Sequence, residues 1–165
     1  MMQKMKASLL PGLISALVVI FASGSLATNA RAQKTQANAH VEGTQQPLYS
    51  DYKSVRLGMT PEEVRARLGK PMQTDADQDY YVISDNETVQ LGYDRAHRVN
   101  AISIDYLGGI GAPDYQAVVG PNVEVKPDGS LYQMVLYDKL GFWVSYHRSA
   151  GNVRVVTVTI QKIGQ

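Results

Sequence analysis

Hydrophobic and polar positions change their rhythm three times along the chain. From Leu9 to Phe21 the residues are almost all apolar, with Lys4 and Lys6 before them. Small and polar residues follow, ending in Ala30-Arg31-Ala32 ahead of Gln33. This charged, apolar, small-residue order is the three-part layout of a secretory signal peptide. Pro11 and Gly12 interrupt the run, which falls short of the roughly 20 apolar residues a spanning helix needs. Residues 1–32 are therefore expected to be a cleaved leader. Residues 33–47 are mostly Gln, Thr, Asn, Ala and Gly with one histidine, His40, and almost no large apolar group. Such a stretch cannot bury enough surface to offset its ordering entropy, so it reads as a flexible tether carrying a solvated histidine.

The rhythm turns helical at Leu57–Pro71, LGMTPEEVRARLGKP. Thr60 suits an N-cap, Pro61 suits N1, and Glu63 at N3 completes a capping box. Met59 at N′ and Val64 at N4 are spaced for a hydrophobic staple. Val64 and Leu68 share one face at i, i+4, whereas Arg65 and Arg67 point elsewhere. Gly69 ends the helix and Pro71 prevents its resumption. Eight residues are marginal as an isolated helix, so this one must rest on a sheet.

From Tyr80 onward the period becomes two, with β-branched and aromatic residues. The pattern predicts strands near 79–84, 88–94, 98–106, 131–138, 141–148 and 152–161. Asp85-Asn86, Asp94-Arg95, Asp138-Lys139 and Ala150-Gly151-Asn152 supply the turns. A Gly- and Pro-rich link, 108–129, separates two triplets of strands, and Pro113–Val119 within it reads as a weaker helical turn. VISDNETVQLGYDRA (82–96) aligns without gaps on VLYDKLGFWVSYHRS (135–149), with Val82/Val135, Asp85/Asp138, Tyr93/Tyr146 and Arg95/Arg148 identical. Hairpin convergence would give some identities. The shared order of helix end, Gly-Pro and three strands favours duplication.

Composition narrows the function classes. The 165 residues carry a formal charge of +1, without the basic footprint of a nucleic-acid binder. Loss of residues 1–32 would leave 133 residues with 13 basic and 15 acidic groups, near −2. There is no cysteine, which excludes disulfides, thiolate metal sites, a cysteine nucleophile and a lipidated cysteine.

With those residues in view, the run Tyr52–Pro71 resembles the SmpA/OmlA (BamE-like) domain of outer-membrane assembly lipoproteins. The family hallmark G-M-T-x-x-E/Q-V-x-x-x-L-G-x-P is met by Gly58, Met59, Thr60, Glu63, Val64, Leu68, Gly69 and Pro71. The resemblance implies a unit of short helices on a three-stranded antiparallel sheet. Two such units in tandem are similar to the β-lactamase-inhibitor-protein (BLIP-like) fold, with six strands in one sheet and helices over one face. Lipoproteins of this type carry an acylated cysteine, which this chain lacks.

The expected architecture is α+β: two degenerate α-β-β-β repeats forming one antiparallel sheet with short helices packed on one face. The leader is 1–32, the tether 33–47, the first repeat 48–107, and the link with the second repeat 108–165. Val156, Val158, Ile160, Phe142, Val144 and Tyr146 belong under the helices. Trp143, Ser145, His147, Thr157, Thr159 and Gln161 then fall on the open face. Gln90, Gly92 and Asp94 join them, with Ser103 and Asp105 if the last hairpin of the first repeat is one residue out of step. A polar face holding one tryptophan suits partner recognition; the alternative is a Trp143 half covered by its neighbours.

The sequence carries no nucleophile elbow, zinc-helix, phosphate-loop or dinucleotide motif. His40, His97 and His147 are its only histidines, and no metal, cofactor or catalytic set is expected from them. Asp105 and His147 could meet across the sheet, but without a nucleophile such a pair is ordinarily structural. The function expected is a non-enzymatic, exported module, periplasmic or secreted, that binds an envelope protein or peptide. It is not expected to bind nucleic acid or to insert stably in a membrane. Inhibition of a secreted hydrolase is the alternative the tandem resemblance implies, with a small-ligand binder third.

Overall fold

The computed structural model describes residues 41–42 and 46–164. The expected leader, and the tether apart from 41–42 and 46–47, lie outside the described residues. The elements in chain order are β1 (Val41–Glu42), α1 (Pro61–Leu68), β2 (Gln73–Thr74), β3 (Gln78–Ser84), β4 (Glu87–Tyr93), β5 (Val99–Leu107), α2 (Tyr115–Val119), β6 (Leu131–Tyr137), β7 (Phe142–Arg148) and β8 (Val155–Lys162). The strands form one sheet in the order β1-β6-β7-β8-β5-β4-β3-β2. All neighbours are antiparallel except β1 and β6. Two meanders, β3-β4-β5 and β6-β7-β8, thus meet at their last strands, and each is preceded by a short helix.

The capping box formed as the sequence predicts. Thr60 Oγ1 accepts from the Glu63 amide at 3.3 Å, and Glu63 Oε2 accepts from the Thr60 amide at 2.8 Å. The residues before the helix hook onto β5. The Gly58 amide donates to the Val99 carbonyl at 2.8 Å, and the Val99 amide to the Met59 carbonyl at 2.9 Å. Gly58 makes this turn at φ 87°, where a Cβ would be strained. The motif residues therefore dock the helix start on the sheet.

One face of the sheet holds the core. Val89, Leu91, Ile102, Ile104, Val158, Ile160 and Val144 are fully buried on it, together with Val64 of α1 and Val118 of α2. Residues 46–59 cover the same face: Tyr52 and Val55 lie in the core, and the Leu48 amide donates to Tyr137 Oη at 3.4 Å. The link does likewise, with Tyr146 Oη donating to the Pro113 carbonyl at 3.2 Å and Tyr115 packed edge-on to the Tyr146 ring.

Several expectations change in detail. Val41–Glu42, expected in the tether, pairs parallel with β6, Val41 opposite Val135 and Glu42 opposite Leu136. Gln73–Thr74 forms a second short edge strand, antiparallel to β3. Two-residue strands are too short to leave a periodic signal. Val82 and Val135, aligned in sequence, lie on opposite faces, for Val82 is 49% exposed and Val135 only 6%. The cause is the hairpins: β3 and β4 turn tightly after a bulge between Val82 and Ser84, whereas β6 and β7 turn through a 3-10 segment, Asp138–Leu140. Tyr93 and Tyr146 are both buried on the helix face. Among the described residues no helix is long and apolar enough to cross a membrane.

Candidate functional site

The open face is read directly from the strand register. One row across it runs Gln90, Ser103, Thr159, Ser145, Met134, and the next runs Thr88, Asp105, Thr157, His147, Tyr132. Gln161, Trp143 and Leu136 lie in a third row. The expected residues Trp143, Ser145, His147, Thr157, Thr159, Gln90 and Asp105 all therefore share this face. Ser103 and Asp105 reach it because the β4–β5 register shifts between Gly92 and Tyr93. At that bulge a Cβ on Gly92 would come within 2.8 Å of Asn100 Oδ1, so glycine leaves the space the shift requires.

Accessibility along the face is uneven. His147 and Gln90 are exposed; Trp143, Asp105, Thr157 and Thr159 are half-buried; Ser145 is buried. Thr157 Oγ1 donates to Asp105 Oδ1 at 2.6 Å, and the Ser103 and Thr159 hydroxyls lie 3.4 Å apart. Strand β8 separates β5 from β7, and Asp105 and His147 are each opposite Thr157. The pairing of Asp105 with His147 is therefore corrected: threonine takes the carboxylate. His147 instead lies beside the Tyr132 ring, with centroids 6.5 Å apart. Asp94 is also corrected. It sits in the β4–β5 turn, accepting from the Ala96 and Arg98 amides at 3.0 and 2.9 Å and from Lys162 Nζ at 3.3 Å. These donors, the Arg98 amide first, hold its carboxyl below the usual range.

The face changes character toward β6. Its centre, on β4, β5 and β8, is hydroxyl and amide. At the β6–β7 end Tyr132, Met134, Leu136 and Trp143 make it apolar.

A second polar assembly lies on the helix side. Asp79, at the start of β3, is fully buried. Arg65 Nη2 from α1 donates to both of its oxygens at 3.2–3.3 Å, and Tyr93 Oη donates to Oδ2 at 2.9 Å. The hydrogen bond to Asp79 raises the Arg65 pKa further. Burial, then the bond to Asp79, raises that of Tyr93. Tyr81, two residues along β3, is pushed up to about 12 by burial and then by the Asp79 charge. Among the described residues its hydroxyl makes no hydrogen bond of good geometry, although it lies close to Arg65 and Asp79. Sequence reasoning sent Arg65 away from the core and overlooked Asp79. The available signal was parity: Asp79 shares the face of Tyr81, and a carboxylate in that position requires a partner.

His97 stands in the β4–β5 turn at φ 51°, and His147 lies on β7; His40 is outside the described residues. Among the described residues no three His, Asp or Glu side chains are grouped to hold a metal ion. No protein-family model, curated protein or solved structure matches this chain.

Proposed function

We propose that the chain is an exported, non-enzymatic module of the cell envelope that binds a protein or peptide through the open face of its sheet. The observation that carries this reading is the separation of the two faces. Both helices, residues 46–59 and the link pack on one, while the other presents Trp143 and His147 beside a field of hydroxyl and amide groups. Tryptophan gives large apolar contact area with one polar handle, the commonest chemistry of an interaction hot spot.

Export is supported by the acid-free stretch 1–41, its apolar run and Ala30-Arg31-Ala32. The absence of cysteine argues for a protein that is free of a lipid anchor. The α-β-β-β order occurring twice, with Tyr93 and Tyr146 both buried, supports tandem units of the SmpA/OmlA (BamE-like) kind. Likeness of fold would not by itself carry function.

The test is affinity capture of the tagged protein from an envelope extract of its own source, beside Trp143→Ala. A stoichiometric envelope partner, reduced at least fivefold in the variant at unchanged thermal midpoint, is the expected result. Equal capture by both proteins would remove the face from the reading. Recovery of a soluble hydrolase would instead establish the inhibitor alternative.

A further inference from the structure

Both edges of the sheet end in a two-residue strand, but the margins beneath those strands differ in charge. At the β3 edge, β2 pairs Gln73 with Tyr80 and Thr74 with Asp79. The Met72 amide also reaches the Tyr80 carbonyl, and the Asp75 amide the Gln78 carbonyl, both at 2.8 Å. Asp75 and Asp77 place charge at this margin. Short covering strands and charges are how proteins prevent unwanted strand addition. Strand β6 has neither charge nor proline in its seven residues, LYQMVLY. Among the described residues its strand partner on that side is Val41–Glu42, paired at Val135 and Leu136. The open-face side chains of β6, Tyr132, Met134 and Leu136, belong to the apolar end of the face, next to Trp143.

We propose that the β6 edge is a strand-acceptor site for an extended, uncharged segment of another protein. That segment runs parallel to β6 in the place that Val41–Glu42 holds in the free chain. This deepens the reading above, on which it rests, by naming how the partner is engaged. The chain's own strand fixes the place and direction. An added strand gains main-chain hydrogen bonds from β6 and sets alternate side chains against Tyr132, Met134 and Leu136, which is how strand addition combines affinity with specificity. A bound self-strand lowers apparent affinity by the fraction of time it occupies the edge, so Val41–Glu42 is both placeholder and competitor.

The probe is a fluorescein-labelled nonapeptide of alternating Thr and Val, titrated into the full chain and into the double variant Val41→Pro, Glu42→Pro. The prolines remove the amides of the self-strand and alter nothing on β6. The expected result is binding that tightens at least fivefold in the double variant, with amide shifts confined to β6 and its neighbours. Peptides N-methylated at alternate residues complete the test. One of the two alternating patterns should abolish binding, because only one set of amides faces β6. Equal affinity for both proteins, tolerance of both methylation patterns, or shifts centred on β2 and β3 would each overturn the proposal. So would a double variant that dimerises and excludes the peptide, which would make a second copy the occupant. Loss of the edge result with Trp143→Ala still releasing the envelope partner would sink this inference alone. An intact edge result with Trp143 indifferent would sink the face reading alone.

Discussion

The two meanders share an order of elements, yet different forces hold them. The first, β3-β4-β5 with α1, is tied by charge: Arg65 and Tyr93 on the buried Asp79, Tyr52 Oη on Glu87 at 2.7 Å, and Lys53 beside Glu87 at 3.6 Å. The second, β6-β7-β8 with the five-residue α2, is tied by aromatic packing and single hydrogen bonds. Tyr115 meets Tyr146, Tyr137 meets Phe142 with centroids 5.2 Å apart, and Arg148 Nε reaches the Gly129 carbonyl at 2.8 Å. The difference follows from the helices. α1 is long enough to bring Arg65 over β3, whereas α2 carries no basic residue. The first meander thus carries the buried charge network, whereas the second carries the uncharged strand β6 and the tryptophan.

The comparison breaks most readily at Asp79. Asp79→Ala would leave the Tyr93 hydroxyl buried without its acceptor and Arg65 without its counter-charge. Removing one partner of a fully buried pair costs about 3–5 kcal/mol. The Arg65 side chain is 40% exposed and regains water, so about 2–3 kcal/mol is expected here, read as a lower urea midpoint at unchanged slope. Asp79→Asn, which keeps an acceptor for Tyr93, should lose less. Equal losses for the two variants would show that the charge, which both remove, carries the whole effect; an Asp79→Asn variant as stable as the wild type would show that the charge does not matter.

The paired tyrosines sharpen the same contrast at smaller cost. Tyr93→Phe removes a hydrogen bond to a carboxylate and should cost about 1.5–3 kcal/mol, whereas Tyr146→Phe removes one to the neutral Pro113 carbonyl and should cost about 1 kcal/mol. Urea unfolding of the two variants measures the difference directly. If Tyr146→Phe proves the more costly, the ranking of the two halves is reversed.

These residues also mark what the sequence made legible. The capping box was readable because Thr60, Pro61 and Glu63 act on their own backbone within one turn. The six long strands were readable because alternation of Val, Ile and Tyr with Thr, Ser and Gln is local. From that alternation came the open face, down to the conditional placing of Ser103 and Asp105. What escaped depended on partners distant in the chain. Arg65 looked solvent-bound until β3 lay beneath it, and Val41–Glu42 becomes a strand only because β6 lies ninety-odd residues on, opposite it. The gapless alignment failed at Val82 because the two hairpins are closed by turns of different length, and one residue of slip exchanges the faces.

The smallest expected effect tests how tightly the first meander is closed. Tyr81 lies beside the Asp79 network, 2% exposed, its hydroxyl near Arg65 and Asp79 but in no hydrogen bond of good geometry among the described residues. A buried polar group without a partner is destabilising, so Tyr81→Phe should leave stability at pH 7 unchanged or raise it by up to about 1 kcal/mol. The same burial gives a pH signature. In the unfolded chain a tyrosine ionises near 10, while Tyr81 in the folded protein is pushed up to about 12. Between those values the folded form holds a proton that the unfolded form has released. Stability from this group is therefore complete below pH 10 and falls as pH rises toward 12. Tyr52, Tyr93 and Tyr106 are raised as well, burial being the first cause in each, so the wild type should show a second wave of phenolate absorbance that coincides with alkaline unfolding. Tyr81→Phe should soften the fall in urea midpoint between pH 10 and 12 without shifting its onset. Should the variant instead be less stable at pH 7, the Tyr81 hydroxyl must have a partner after all, and the closed cluster would extend one residue further along β3.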